Sequence, residues 1–356
     1  MSRELPLQKG RKLYLELLRA IAIFLVVLNH NSAYAYYLQV PQLPVRLLFS
    51  GLSALVKTAV PLFFMISGAL LLPKEESLGD LLKKRVLRYA LVLALFSLVA
   101  YLLDLQKSGQ SFSLYFFVTR LYAFRFVDSY WFLYGYLGYL LTLPLLRRMA
   151  LGMNDREFLY LFALGLVFQG MDLVTAFLFR EELYAEPSFT LVAINYTVFY
   201  PLLGYYLEHR LPARCLEKKR VWLSFAVALL ALIAMAAATE VYCRRYEDWS
   251  TAGGEMFFWR LSFLVAGAMY LQAKALFPPL SARGLPARVL SLLGSCSFGV
   301  YLIQHWLLML SGDLTAKLAQ ALGVYPAALC QALAVCLVGT GITFLLKQIP
   351  GIKKLL

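Results

Sequence analysis

Ten apolar stretches, each long enough to cross a bilayer, run through this 356-residue chain. They lie near residues 13–36, 47–72, 86–105, 129–146, 157–179, 189–207, 221–240, 256–276, 290–310 and 325–346. A helix needs roughly 20 apolar residues to span the hydrocarbon, and a segment in lipid must satisfy its backbone polar groups internally. The chain is therefore predicted to be all-α, a polytopic membrane helix bundle of about ten transmembrane helices. Composition agrees, with 61% hydrophobic and 15% charged residues, against roughly 45–50% and 25% in soluble domains.

The charges sort by side. Basic clusters at Arg3 to Lys12, Lys74 to Arg88, Arg147 to Arg156, Arg210 to Arg220, Lys274 to Arg288 and Lys347 to Lys354 fall in alternate connections. The remaining connections hold far fewer cations: Arg46, Lys107, Arg120, Arg125, Arg180, Arg244, Arg245 and Lys317. Cytoplasmic loops carry the excess of Lys and Arg, so this asymmetry, roughly three to one, predicts both termini in the cytoplasm and a multi-pass protein of the cell (cytoplasmic) membrane. The formal charge of +14 then belongs to topology, so the lipid bilayer is the expected partner and nucleic acid is not. Connections are short apart from 106–128 and 241–255, so 1–356 reads as a single integral membrane domain. Arg3, Lys9, Arg11 and Lys12 before an apolar run ending Ala33-Tyr34-Ala35 imitate a secretory signal. That run exceeds the 7–15 residues or so of such a segment, and an uncleaved first span is expected. Five cysteines and three histidines show no ligand spacing, so no metal is expected.

The first span carries Arg19 and His30. Eleven positions on a helix make three turns plus about 20°, so the two project from nearly one face, roughly 16 Å apart along the axis. An Arg near one interface would place the His deep in the membrane or toward its far side. Ionisable groups at membrane depth are costly and mark functional sites by default. Lys57, Asp172, Glu240, Arg260 and His305 fall in the same half as His30. Each has a bland explanation: Glu240 can end its helix, Lys57 or Asp172 can pair structurally, and Arg19 can snorkel. Their sharing one side predicts an outward-facing polar cavity. Pro61 must kink the second span or remove a backbone hydrogen bond, which sets Lys57 just outside the break. At the cytoplasmic end, Lys84, Arg85 and Arg88 either set topology or bind a phosphate-bearing ligand, since guanidinium forks match phosphate oxygens.

Four stretches resemble the acyltransferase 3 family of integral membrane O-acyltransferases: Leu18-Arg19 through Asn29-His30, Val60 to Gly68, Trp131-Phe132-Leu133-Tyr134 and Ser297 to Ile303. Arg85-x-x-Arg88 is similar to a basic motif of the same family. One departure lies in the ninth span, where the family often has His directly after Tyr-Leu-Ile. Here Gln304 holds that place and His305 follows, turned by about 100°. The resemblance implies the stand-alone form, without a fused extracytoplasmic domain. It further implies transfer of an acyl group, usually acetyl, from cytoplasmic acyl-CoA to a hydroxyl of an extracytoplasmic or lipid-linked carbohydrate. Arg19, Arg85, Arg88 and Lys84 would then hold the coenzyme phosphates, with acetyl-CoA or another acyl-CoA as co-substrate and no metal. His30 would serve either as general base or as transient acyl carrier. A transporter or flippase, with the same buried charges forming a substrate pathway, is the competing reading.

Overall fold

The computed structural model describes residues 12–178, 191–250, 256–276 and 284–356, with all side chains in these ranges except those of residues 172, 176 and 178. The expected basic residues Arg3, Lys9, Arg11, Arg180 and Arg283 lie outside them, as does the side chain of Asp172. Among the described residues there is no strand.

Helices occupy each of the ten expected places. In chain order they are α1 (Leu13–His30), the short α2 (Ala33–Leu38), α3 (Leu43–Val56), α4 (Ala59–Leu71), α5 (Leu78–Ser108), α6 (Leu114–Ala123), α7 (Trp131–Gly152) and α8 (Asp155–Leu178). There follow α9 (Tyr196–Tyr205), α10 (Lys218–Tyr246), α11 (Ser262–Leu276), α12 (Leu285–Leu310), α13 (Gly312–Leu322) and α14 (Val324–Leu346). Among the described residues, seven segments are long and apolar enough to cross a membrane, with α3 and α4 counted as one. This is a polytopic all-α bundle.

Burial separates the inner helices from the lipid-facing ones. Residues buried within the protein make up 56% of the first span and 72% of the α3–α4 span, against 24% to 44% of the other five. The helix carrying Arg19 and His30 is thus central, packed against α4, α11, α12 and α14. Outer helices leave Leu91, Leu95, Val99 and Leu102 exposed, which costs nothing where lipid is as apolar as leucine.

Three local features place the site. The second span breaks at Lys57 and Thr58, four residues before Pro61. Proline lacks the N–H that would bond the carbonyl four residues back, and its ring crowds that carbonyl. Next, α4 and α9 cross with their backbones nearly touching. A Cβ on Gly68 would fall 2.0 Å from the Pro201 carbonyl oxygen, and one on Gly204 would fall 2.0 Å from that of Met65. Finally, the start of α1 is pinned by a buried carboxylate. Glu208 accepts hydrogen bonds from Tyr14 (2.7 and 2.6 Å) and Tyr270 (2.8 Å) and pairs with Lys12 and Lys274. These contacts tie α1 to α11 and to the π-helical turn Tyr206–Arg210 that follows α9, and so fix the height of Arg19 and His30.

Candidate functional site

Two cavities lie along α1. At one end, His30, Lys57, Asn29, Tyr34, Trp131, Trp259 and Tyr301 line a cavity of about 340 Å³. At the other, Arg19, Lys84, Arg85 and Arg88 line a cavity of about 190 Å³ together with Ser67, Tyr89 and Tyr136. The two share no lining residue.

At the His30 end, helix α1 stops at His30 itself and the chain turns back through Ser32, in the left-handed region at φ 52°. That turn carries α2, and with it Tyr34, onto the cavity. His30 Nδ1 lies 2.8 Å from the Val26 carbonyl oxygen. A carbonyl only accepts, so Nδ1 carries the proton and a neutral ring keeps its lone pair on Nε2. Lys57 is 4% exposed. Its Nζ sits over the Trp259 ring at 5.3 Å and the Tyr34 ring at 5.7 Å, and donates to Tyr34 Oη at 3.5 Å.

Two of the motif stretches hold one wall together. Tyr130 donates to the Leu302 carbonyl at 3.0 Å, and Tyr301 donates to the Ser129 carbonyl. Trp131 packs edge-on against Trp259 (6.4 Å) and Tyr196 (5.9 Å). Tyr134 donates to the Leu121 carbonyl at 2.7 Å and so ties the end of α6 onto α7.

The remaining expected residues divide. Glu240 does not line this cavity. Its carboxylate accepts from Arg46 at 2.9 and 2.6 Å and from Arg244 at 2.5 Å, while Arg46 also donates to the carbonyls of Val40 and Pro41. That cluster clamps the start of α3 to the end of α10. Arg260, adjacent to Trp259, and His305 are likewise not among the lining residues, and His305 is exposed. Gln304, set apart in the sequence only as the residue in place of the family's His, is brought to the His30 ring by α12. It is 0% exposed, and its amide lies within reach of the His30 ring. The signal available was its place directly after Tyr-Leu-Ile.

At the Arg19 end, four cations meet and no acidic residue joins them among the described lining residues. Lys84 and Arg85 stand on a π-helical turn, Leu82–Val86, at the start of α5. The extra residue per turn of such a bulge re-aims its side chains. Arg19 donates to Glu16 at 2.7 Å. Arg85 donates to both oxygens of Glu76 at 3.0 and 2.9 Å, and Arg147 donates to Glu76 at 2.9 Å. Burial pushes the Glu76 carboxyl upward, but the hydrogen bonds and charges of Arg85 and Arg147 outweigh it and hold it below the ordinary carboxylate range. Arg88 spends only Nε, on the Leu355 carbonyl at 3.0 Å.

Between the cavities lies an aromatic layer. Phe132 and Tyr136 have ring centroids 5.6 Å apart, Tyr89 lies 4.7 Å from Tyr136, and Ser67 and Tyr136 share a hydrogen bond of 3.1 Å. The arrangement offers an anion-attracting cavity at one end and an imidazole beside an ammonium at the other, with the aromatic layer between. Among the described residues no group of three or more His, Cys, Asp or Glu could hold a metal ion.

Residues 12–346 match the model of the acyltransferase 3 family, described as an acyltransferase domain. No curated protein and no solved structure matches the chain.

Proposed function

The chain belongs to the acyltransferase 3 family of membrane acyltransferases, and from that premise we propose that it moves an acyl group, acetyl by preference, from cytoplasmic acyl-CoA to a hydroxyl of an extracytoplasmic or lipid-linked carbohydrate. The observation that carries this reading is the pair Arg19 and His30, which line separate cavities at the two ends of one central helix. In this reading the Arg19 end faces the cytoplasm of the cell membrane. Arg19, Lys84, Arg85 and Arg88 bind the coenzyme phosphates there, since guanidinium and ammonium groups supply charge-assisted hydrogen bonds to phosphate.

The pantetheine arm then runs along α1 toward His30, about 16 Å away by helix rise. To pass, it parts the Phe132 and Tyr136 rings, so side-chain rotation in this layer accompanies transfer. At the far cavity His30 Nε2 removes the proton of the attacking hydroxyl, a contribution worth roughly 10²–10⁴-fold. Lys57 faces the same cavity and offers positive charge to the oxyanion that forms on the thioester carbonyl. Collapse of that intermediate breaks the C–S bond, and the imidazolium returns its proton to the departing thiolate. The product is an ester on the carbohydrate and free CoA. Transient acylation of His30 Nε2 is the second route open to the same geometry.

The test compares cells holding equal membrane amounts of the native protein and of His30→Ala, with surface glycans analysed by mass spectrometry. Loss of ester on the glycan in the variant is expected. Undiminished acylation sinks the role of His30, and glycan movement with no acyl-CoA requirement moves the assignment to a transporter.

A further inference from the structure

We propose that the open groove beside the His30 cavity seats the acceptor, and that the acceptor is a membrane-anchored glycan carrying a phosphate or diphosphate. This rests on the acyl-transfer reading for its consequence, but on separate observations for the site itself. The groove measures about 1040 Å³ and is lined by Arg120, Arg125, Asp128, Phe124, Tyr134 and Trp131, among others. Trp131 also lines the His30 cavity, so the two spaces meet at its ring.

The charges in the groove are not spent. Five other arginines each pair with a glutamate: Arg19 with Glu16, Arg46 and Arg244 with Glu240, and Arg85 and Arg147 with Glu76. Neither Arg120 nor Arg125 has an ion pair or side-chain hydrogen bond among the described residues. The Arg120 guanidinium rests over the Phe126 ring at 5.1 Å and the Phe116 ring at 5.7 Å, with its Nε buried and unpartnered. Stacking holds the guanidinium in place without neutralising it, and leaves its donors for an anion. Asp128 is the one carboxylate among the described residues that line the groove, and it can accept from a sugar hydroxyl. Two guanidinium groups against one carboxylate favour a ligand bearing phosphate over a neutral glycan.

The wall of the groove argues for a lipid anchor. Helix α6 exposes Leu114, Tyr115, Val118 and Tyr122, at 65%, 81%, 54% and 92%, along one side. An amphipathic helix with such a face lies in the membrane interface. Its groove then opens at headgroup level, where the phosphate of a lipid-linked glycan sits. From there the glycan reaches past the Trp131 ring to His30, while its lipid tail stays in the leaflet.

The test uses the full chain in phosphatidylcholine nanodiscs and isothermal titration with farnesyl diphosphate, farnesol and inorganic diphosphate. Saturable binding of farnesyl diphosphate is expected, weaker by tenfold or more in Arg120→Gln/Arg125→Gln and partly restored in Arg120→Lys/Arg125→Lys. The restored lysine variant, with an unchanged melting curve, separates lost charge from lost fold. Equal affinity in the glutamine variant overturns the site. Farnesol binding as tightly as the diphosphate removes the anion requirement, and inorganic diphosphate binding as tightly removes the lipid requirement; either overturns the proposal. So does abolition of farnesyl diphosphate binding by phosphatidylglycerol at equal mole fraction, which makes the groove a general anionic-lipid surface. Binding is expected to be unchanged in His30→Ala, so a failure of the acyl-transfer reading is told apart from a failure of the groove.

Discussion

The Gln304 amide lies beside the His30 imidazole and is fully buried. A buried amide must find hydrogen-bond partners or cost about 1–3 kcal/mol. Helix α12 could avoid that cost with any apolar residue of similar size. A polar group kept at such a position, against the proposed base, fits a role in holding the imidazole or the incoming hydroxyl once substrate is bound.

Gln304→Leu should therefore lower acyl transfer by tenfold or more, with a shifted pH profile, in a protein that still folds. Gln304→His should keep most of the activity. A leucine variant with native rate and pH profile would reduce Gln304 to packing.

Arg88 gives the cleaner probe of the cationic cavity, because among the described residues it has no carboxylate partner and donates only Nε, to Leu355. Arg88→Gln should raise KM for acyl-CoA about tenfold, the equivalent of roughly 1.4 kcal/mol, with little change in kcat. Arg85→Gln should lose more, since it also frees Glu76 from one partner. An unchanged KM in Arg88→Gln would place the coenzyme elsewhere.

Glu76 holds Arg85 and Arg147 at 2.9 Å each, and its carboxyl titrates below the ordinary range. Its unfolded value is about 4.3. The stability it contributes is complete above that pH and is lost as pH falls through the lower folded value. Thermal melts of the native protein should therefore weaken on acidification below about pH 4, and Glu76→Gln should show a flatter acid limb. At pH 7 that variant should lose about 2–3 kcal/mol, less than a fully buried pair because the Arg85 side chain is 26% exposed. Superimposable pH curves for the two proteins would refute the linkage.

The crossing of α4 and α9 has no room for a methyl group. Gly204→Ala sets Cβ against the Met65 backbone, which cannot swing away as a side chain would. Overpacking of this kind costs typically 1–3 kcal/mol or more, and the variant should yield little monodisperse protein. Gly51→Ala, with nothing within 4 Å of the new Cβ, is the matched control and should fold at least as well. Normal yield of Gly204→Ala would show that the crossing can open.

Hydropathy and helical period are local properties, and what depends on them alone was legible in the chain. The apolar runs gave the helices, Pro61 gave the break in the second span, and the eleven-position spacing of Arg19 and His30 set the two at separate heights on α1. The basic residues of α5 were legible as a group, and Arg19 joins Lys84, Arg85 and Arg88 around one cavity. Tertiary structure alone decided which faces point inward. In a bilayer an apolar face meets lipid or protein equally well, so hydropathy does not report how far a helix is rotated about its axis. That rotation turns Gln304 toward His30 and leaves His305 exposed. It also commits Glu240 to Arg46 and Arg244, partners reached only through packing. The aromatic layer that divides the two cavities is of the same kind, since Phe132, Tyr136, Tyr89 and Ser67 come from three helices that meet only in the folded bundle.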